Sequence, residues 1–191
     1  MGPESVSASR SIYLRPWRID ITTRPGVPTL VPFTRLARTI GAALESADAP
    51  HPASIGLILA DDSELASLNV AHLGKDGATD VLSFPLLPAN AYPAHPGASH
   101  PGNLAGPDAI PFALPPGRRP HLGDIVVSVE RATEQAEAGR GGQTGDVRWS
   151  PADELRLLVS HGTLHICGWD HAEPEEEAAM RALEQHLLVG G

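Results

Sequence analysis

The sequence predicts a single α+β domain in which a small mixed sheet packs against several helices. Three observations carry that expectation. The chain has 191 residues, the size of one domain. Short runs of strand type alternate with stretches of helical periodicity, and neither kind dominates. Gly and Pro, at 19 residues each, make up about a fifth of the chain, which calls for one long irregular segment within an otherwise regular fold.

Taken in order, residues 1–12 read as a disordered lead, so the domain proper is expected over 13–191. Trp17 to Thr23 is the first strand. Phe33, Leu36, Ala37, Ile40 and Leu44 then recur at three-to-four spacing behind Pro32, the pattern of an amphipathic helix with proline at its start. Ile55 to Ala60 is a short apolar strand, followed by a helix from about Asp62 to Val70 with Asp62 as its N-cap. Thr79 to Phe84, rich in β-branched and aromatic residues, is another strand.

From about 86 to 120 the chain becomes a Pro/Gly-rich loop insertion without apolar periodicity, expected to contribute little core. Its histidines, His95 and His100, read as solvated bystanders. Strand structure resumes at His121 to Val129, a helix follows from about Glu130 to Ala138, and Gly139 to Thr144 is a turn. Residues 150–168 open with Ser150, Pro151 and Asp153, which supply an N-cap, a first-turn proline and an acid at the positive end of the helix dipole. Pro174 opens the last helix. Glu175, Glu176 and Glu177 complement its dipole, and Met180, Leu183 and Leu187 form its core face.

The formal charge of −9 weighs against a strongly basic nucleic-acid binder, but the charge is unevenly distributed. Residues 1–40 carry six arginines (Arg10, Arg15, Arg18, Arg24, Arg35, Arg38) against Glu4 and Asp20, whereas 170–184 hold six acids against Arg181. A single cysteine, Cys167, excludes an intramolecular disulfide framework and suits a reducing compartment. No apolar run approaches the roughly 18 residues of a spanning helix. A cytoplasmic protein is expected.

The chemistry concentrates in the pattern H-x-x-x-H-x-x-G-x-x-H. His161 and His165 stand four apart and so share one face of a helix, about 5–6 Å apart at Cβ. Gly168 suits a left-handed helix end, and the turn it permits brings His171 back toward the same point. The spacing therefore puts a metal site at the end of a central helix. Three imidazoles suffice for one zinc ion and leave a fourth position open, the mark of a catalytic rather than a structural metal. Among 191 residues with nine histidines, such spacing arises by chance in roughly one chain in fifty, and with the glycine in roughly one in five hundred. His51, His72, His121 and His186 lack such partners and read as structural.

Metzincin proteases share this spacing but carry a glutamate after the first histidine as general base. Here that position is Gly162, which leaves peptide hydrolysis without its base. Asp170 is the nearest carboxylate, available as a catalytic base or to orient a ligating imidazole. With three histidines supplying the protein's ligands, Cys167 reads as a small buried apolar residue.

The segment HGTLHICGWDH at 161–171 resembles the signature of the YbeY family. TDVLSFP at 79–85 and LGDIVVS at 122–128, with Gln135 and Ala136 behind it, resemble two further blocks of that family. The resemblance implies a metal-dependent, single-strand-acting endoribonuclease that matures ribosomal RNA and serves ribosome quality control, with ribosomal RNA and the small ribosomal subunit as partners. It implies that His161, His165 and His171 ligate the metal and that Lys75, Asp80 and Ser83 lie near the substrate cleft. Turn or strand-edge hydrogen bonds are an equal reading for Asp80 and Ser83. Two departures stand out: Leu73 occupies the position of a family arginine in LNVAHLGKD at 68–76, and the loop at 86–120 is longer than the usual connection. Two rival readings stand beside it: a non-catalytic ribosome-associated metal-binding protein, motivated by Leu73, the acidic balance and the missing glutamate, and, more remotely, a metzincin-like metalloprotease, motivated by the histidine spacing.

Overall fold

The computed structural model describes residues 7–95, 119–139 and 149–189. The strands are β1 (Ala8–Leu14), β2 (Trp17–Thr23), β3 (Ser54–Ala60), β4 (Val81–Pro85) and β5 (His121–Ser128). They form one sheet in the order β1-β2-β3-β5-β4. β2, β3 and β5 run parallel, and β1 and β4 are antiparallel edges, so the sheet is mixed as the sequence implies. The helices are α1 (Phe33–Ser46), α2 (Asp62–Leu73), α3 (Val129–Glu137), α4 (Pro151–Ile166) and α5 (Pro174–Val189).

Period-two alternation divides the parallel strands between two cores. Leu57, Leu59, Ile125 and Val127 face the large core, which also takes in Leu36, Ile40 and Leu44 of α1, Leu155 and Val159 of α4, and Met180 and Leu187 of α5. The residues between them, Ile58 and Val126, join Leu65 and Leu68 of α2 in a smaller cluster with Leu82 and Phe84. β4 therefore sends Leu82 and Phe84 toward α2, while Val81 packs with the large core. This alternation puts Ser83 on the side of α4.

Helix α4 is the centre of the large core and touches α1, α3, α5, β4 and β5. It begins with a complete capping box: Asp153 N donates to Ser150 Oγ, and Ser150 N donates to the Asp153 carboxylate, each at 3.2 Å. It ends in a Schellman turn. Gly168 takes φ +83°, its N–H donates to His165 O, and Trp169 N donates to Leu164 O at 3.0 Å. Both ends follow from the sequence.

Four expectations need correction. The lead is not irregular throughout, because Ala8–Leu14 pairs along its length with β2, from Ala8↔Thr23 to Leu14↔Trp17. Its Ser- and Arg-rich composition hides a strand whose order comes from a non-local backbone ladder and from Ser9–Thr22 and Ser11–Asp20 hydrogen bonds. The N-cap of α2 is Asp61, whose Oδ1 accepts from Glu64 N at 2.8 Å. Asp62 instead accepts from Ser128 Oγ at 2.5 Å and pairs with Arg131 at 2.9 Å, tying α2 to α3.

The start of the 86–120 insertion is not free of core contacts either: Tyr92 is 6% exposed and sits in the large core, with Leu87 packed against it. One large aromatic ring suffices to anchor a segment that has no periodicity. The fourth correction concerns His95, which stacks on Trp169 with ring centroids 4.1 Å apart and planes 12° from parallel. His100 and the turn at 140–144 lie outside the described residues.

Gly162 marks the closest approach of α4 to the sheet. A Cβ there would stand 2.6 Å from Ile125 Cγ2, 3.0 Å from Val81 Cγ2 and 3.2 Å from Ser83 Oγ. Gly162→Ala should gain about 1 kcal/mol in helix propensity. It should lose more by overpacking, typically about 1–3 kcal/mol, because the two nearest methyls belong to β-branched residues with stiff χ1. The expected net result is a lower urea midpoint with an unchanged slope. A higher midpoint would show that the helix can lift from the sheet without cost.

Candidate metal centre

His161 and His165 project from consecutive turns of α4, and the turn after Gly168 carries His171 to them. The His161 and His165 rings lie 4.5 Å apart, and the His171 ring lies 5.5 Å and 5.1 Å from them. The ligand atoms of all three fall within 4.8 Å of one another. Among the described residues this is the group of histidines, cysteines and acids close enough to hold an ion.

The contacts of the ring nitrogens fit an ion. His161 Nδ1 lies 2.7 Å from Glu184 Oε1. A carboxylate can only accept, so Nδ1 is the donor in this contact and Nε2 is the ring nitrogen turned toward His165. His165 is hydrogen-bonded to the Trp169 backbone, and its Nε2 points at that of His161 from 3.0 Å. At that distance the two nitrogens can share a proton as a hydrogen bond or face a common cation. Tetrahedral bonds of about 2.0–2.1 Å put neighbouring ligand nitrogens about 3.3 Å apart, close to the spacing present here. The donor set fits a single small divalent ion.

Burial also favours a metal over a proton. His165 is held down to about 4, first by desolvation and then by the facing imidazoles of His161 and His171. It is therefore neutral, the form that binds metal, throughout the physiological range. His171 is exposed while the other two are half-buried, so the site opens to solvent on the His171 side. There, a cavity of about 220 Å³ is lined by His161, His171, Glu177, Met180, Arg181 and Glu184.

Glu184 is the residue missed by sequence reading. It is only 8% exposed and stands among Met180, Leu183 and Leu187, on what reads as a plain core face. The available signal was an acid four residues after Met180 on an apolar stripe, since buried carboxylates need a partner. Its contact fixes both the tautomer and the ring plane of His161.

The other sequence candidates are placed as follows. Asp170 Oδ1 accepts from His171 N at 2.8 Å and so shapes the turn that presents His171. Ser83 Oγ donates to the Gly162 carbonyl at 3.0 Å, tying β4 to α4 beside His161. The Asp80 carboxylate accepts from Val81 N and from Gln135 Nε2, both at 2.9 Å, and joins β4 to α3. Lys75 is exposed just beyond the left-handed Gly74 that ends α2. Lys75, Asp80 and Ser83 do not line the cavity beside the histidines.

Leu73 is 56% exposed, so it is not a core residue of α2. Cys167 is fully buried and its thiol is pushed up to about 12 by burial, which suits an inert apolar role. Its carbonyl faces His95 Nε2 at 3.5 Å, and burial lowers the pKa of that histidine. The absence of a side chain at Gly162 also removes the metzincin alternative. A glutamate there would drive its Cβ into Ile125 and Val81 on the sheet.

Comparison with known proteins agrees with this arrangement. The family model described as endoribonuclease YbeY matches residues 31–190. An endoribonuclease YbeY of Thermobifida fusca is 37% identical over 174 residues, covering 90% of this chain and 92% of the relative. One from Salinispora tropica is 40% identical over 149 residues, covering 77% and 80%, and one from Roseiflexus castenholzii is 32% identical over 171, covering 89% and 90%. With the family match spanning residues 31–190, which take in β3 to β5, the three histidines and Glu184, the chain belongs to the endoribonuclease YbeY family.

Proposed function

We propose that this protein is a zinc-dependent endoribonuclease that cuts single-stranded stretches of ribosomal RNA during maturation and quality control of the small ribosomal subunit. The observation that carries the proposal is the three-imidazole cluster open toward a cavity, in a chain whose relatives are named endoribonucleases. His161, His165 and His171 would hold the ion. Zinc, when bound, would supply a Lewis acid for the phosphoryl group and make a water more acidic.

The chain's own residues do the rest. Glu184 holds His161 in the ligating tautomer, and the Schellman turn with the Asp170–His171 contact presents the third imidazole. Because Asp170 Oδ1 is engaged by the His171 amide, Oδ2 is the oxygen assigned to take a proton from the attacking group. Lys75 is assigned to attract the RNA backbone, while Asp80 and Ser83 hold β4 in place beside the substrate path. A cytoplasmic location agrees with the lone buried cysteine, and no described helix is long and apolar enough to cross a membrane.

Metal analysis of the purified protein, paired with cleavage of a single-stranded ribosomal RNA fragment, tests the proposal. Chelator should abolish cleavage and added zinc should restore it. A metal that raises the melting temperature without any cleavage would instead favour a non-catalytic, ribosome-associated metal-binding protein.

Two variants sharpen the ligand assignment. His165→Ala should contain well below one zinc per chain, and full occupancy would remove it from the ligand set. Glu184→Gln keeps the shape of the side chain but withdraws the charge on His161, so zinc affinity should fall about 10–100-fold in a chelator competition. Unchanged affinity would mean that the contact serves only the fold.

A further inference from the structure

The cavity beside the histidines is lined by one permanent cation. Arg181 stands on α5 and shares that cavity with His161 and His171. Its Nη2 pairs with Glu177 Oε1 at 2.5 Å, one turn earlier on the same helix, and the two side chains are 55% and 44% exposed. An exposed pair of this kind contributes little to folding. A guanidinium carries five N–H donors in a rigid fork, so one carboxylate contact leaves most of its capacity unused.

The remaining arginines with described contacts are committed elsewhere. Arg119 donates to the Pro16 carbonyl at 2.6 Å, at the turn between β1 and β2. Arg24 is locked on Glu64 through three hydrogen bonds, and Arg131 is paired with Asp62. Arg156 is buried in α4 and lies against Thr39 and Asp153. Leu73 is exposed but has no charge to offer a phosphate.

We propose that Arg181 is the phosphate-binding residue of the cleft: its guanidinium leaves Glu177 to take a backbone phosphate of single-stranded RNA held over the His161–His171 side of the cluster. Glu177 holds the fork toward the cavity in the free protein and competes with the incoming phosphate. This inference rests on the endoribonuclease reading and deepens it. A phosphate accepts the same bidentate geometry as the carboxylate it replaces, so the exchange needs no rearrangement of α5.

The test uses the full chain and a fluorescent single-stranded RNA. Binding is followed by anisotropy over a series of salt concentrations, with chelator present so that nothing is cut. Arg181→Met, which keeps an apolar stem, should bind about tenfold more weakly, and its salt slope should be smaller by about 0.7, the share of one phosphate contact on a single strand. Arg181→Lys should keep the slope and recover only part of the affinity, because it has the charge without the fork. Glu177→Gln should bind more tightly than the wild type.

Glu177→Gln also controls for folding, since it breaks the same ion pair and any stability loss from that pair should appear in it too. Wild-type affinity and slope in Arg181→Met, with RNA still bound and cleaved by the wild-type protein, would overturn this inference alone. Failure of the wild type to bind or cleave single-stranded RNA would overturn the endoribonuclease reading and this inference with it.

Discussion

The approach of α4 to the sheet at Gly162 is the constraint on which the site depends. With no Cβ at that point, the helix settles onto Ile125 and Val81, and its carbonyl there accepts from Ser83 Oγ. His161 is the preceding residue and His165 lies one turn on. The closeness of this contact therefore sets where two of the three imidazoles stand relative to β4 and β5. Helix–sheet packing is dense enough that a single methyl is felt, so the glycine is a positional requirement of the histidine cluster rather than a flexible joint.

A second layer holds the imidazoles from the other side. α5 contributes Glu184, which is buried and paired with His161, and so couples the last helix of the fold directly to the candidate ligand set. The turn between α4 and α5 is held by the Gly168 and Trp169 amides on α4 carbonyls and by Asp170 on the His171 amide. His95 covers the same turn by stacking on Trp169, with Tyr92 buried just before it. The start of the Pro/Gly-rich segment thus packs against the turn that carries His171, although nothing in its composition suggests a packing role.

The charge of the whole chain does not describe the charge around the histidines. Most of the described acids are spent locally: Glu64 on Arg24, Asp62 on Arg131, Asp153 on a helix start, Glu184 on His161. The net charge of −9 therefore says little about the field at the histidines. There, the cavity is lined by the His161 and His171 rings, the acids Glu177 and Glu184, each engaged with a partner, and the Arg181 guanidinium.

What the sequence by itself determined is local in origin. The capping box at Ser150, the left-handed end at Gly168 and the four-residue spacing of His161 and His165 are all short-range geometry, so they could be read before any fold was known. The central strands and the helices between them were legible as elements for the same reason, from apolar runs and periodicity, but their order and direction in the sheet were not.

Contacts between residues far apart in the chain were decided by the tertiary structure alone. β1 is a strand because β2 pairs with it, Glu184 matters because α5 crosses back over α4, and Arg181 reaches the cavity by the same crossing. His95 and Tyr92 are ordered by a core that lies elsewhere in sequence. Local patterning encodes which elements form and how they end. Which side chains meet across 23 or 72 positions depends on how those elements pack, and packing has no signature in a sequence window.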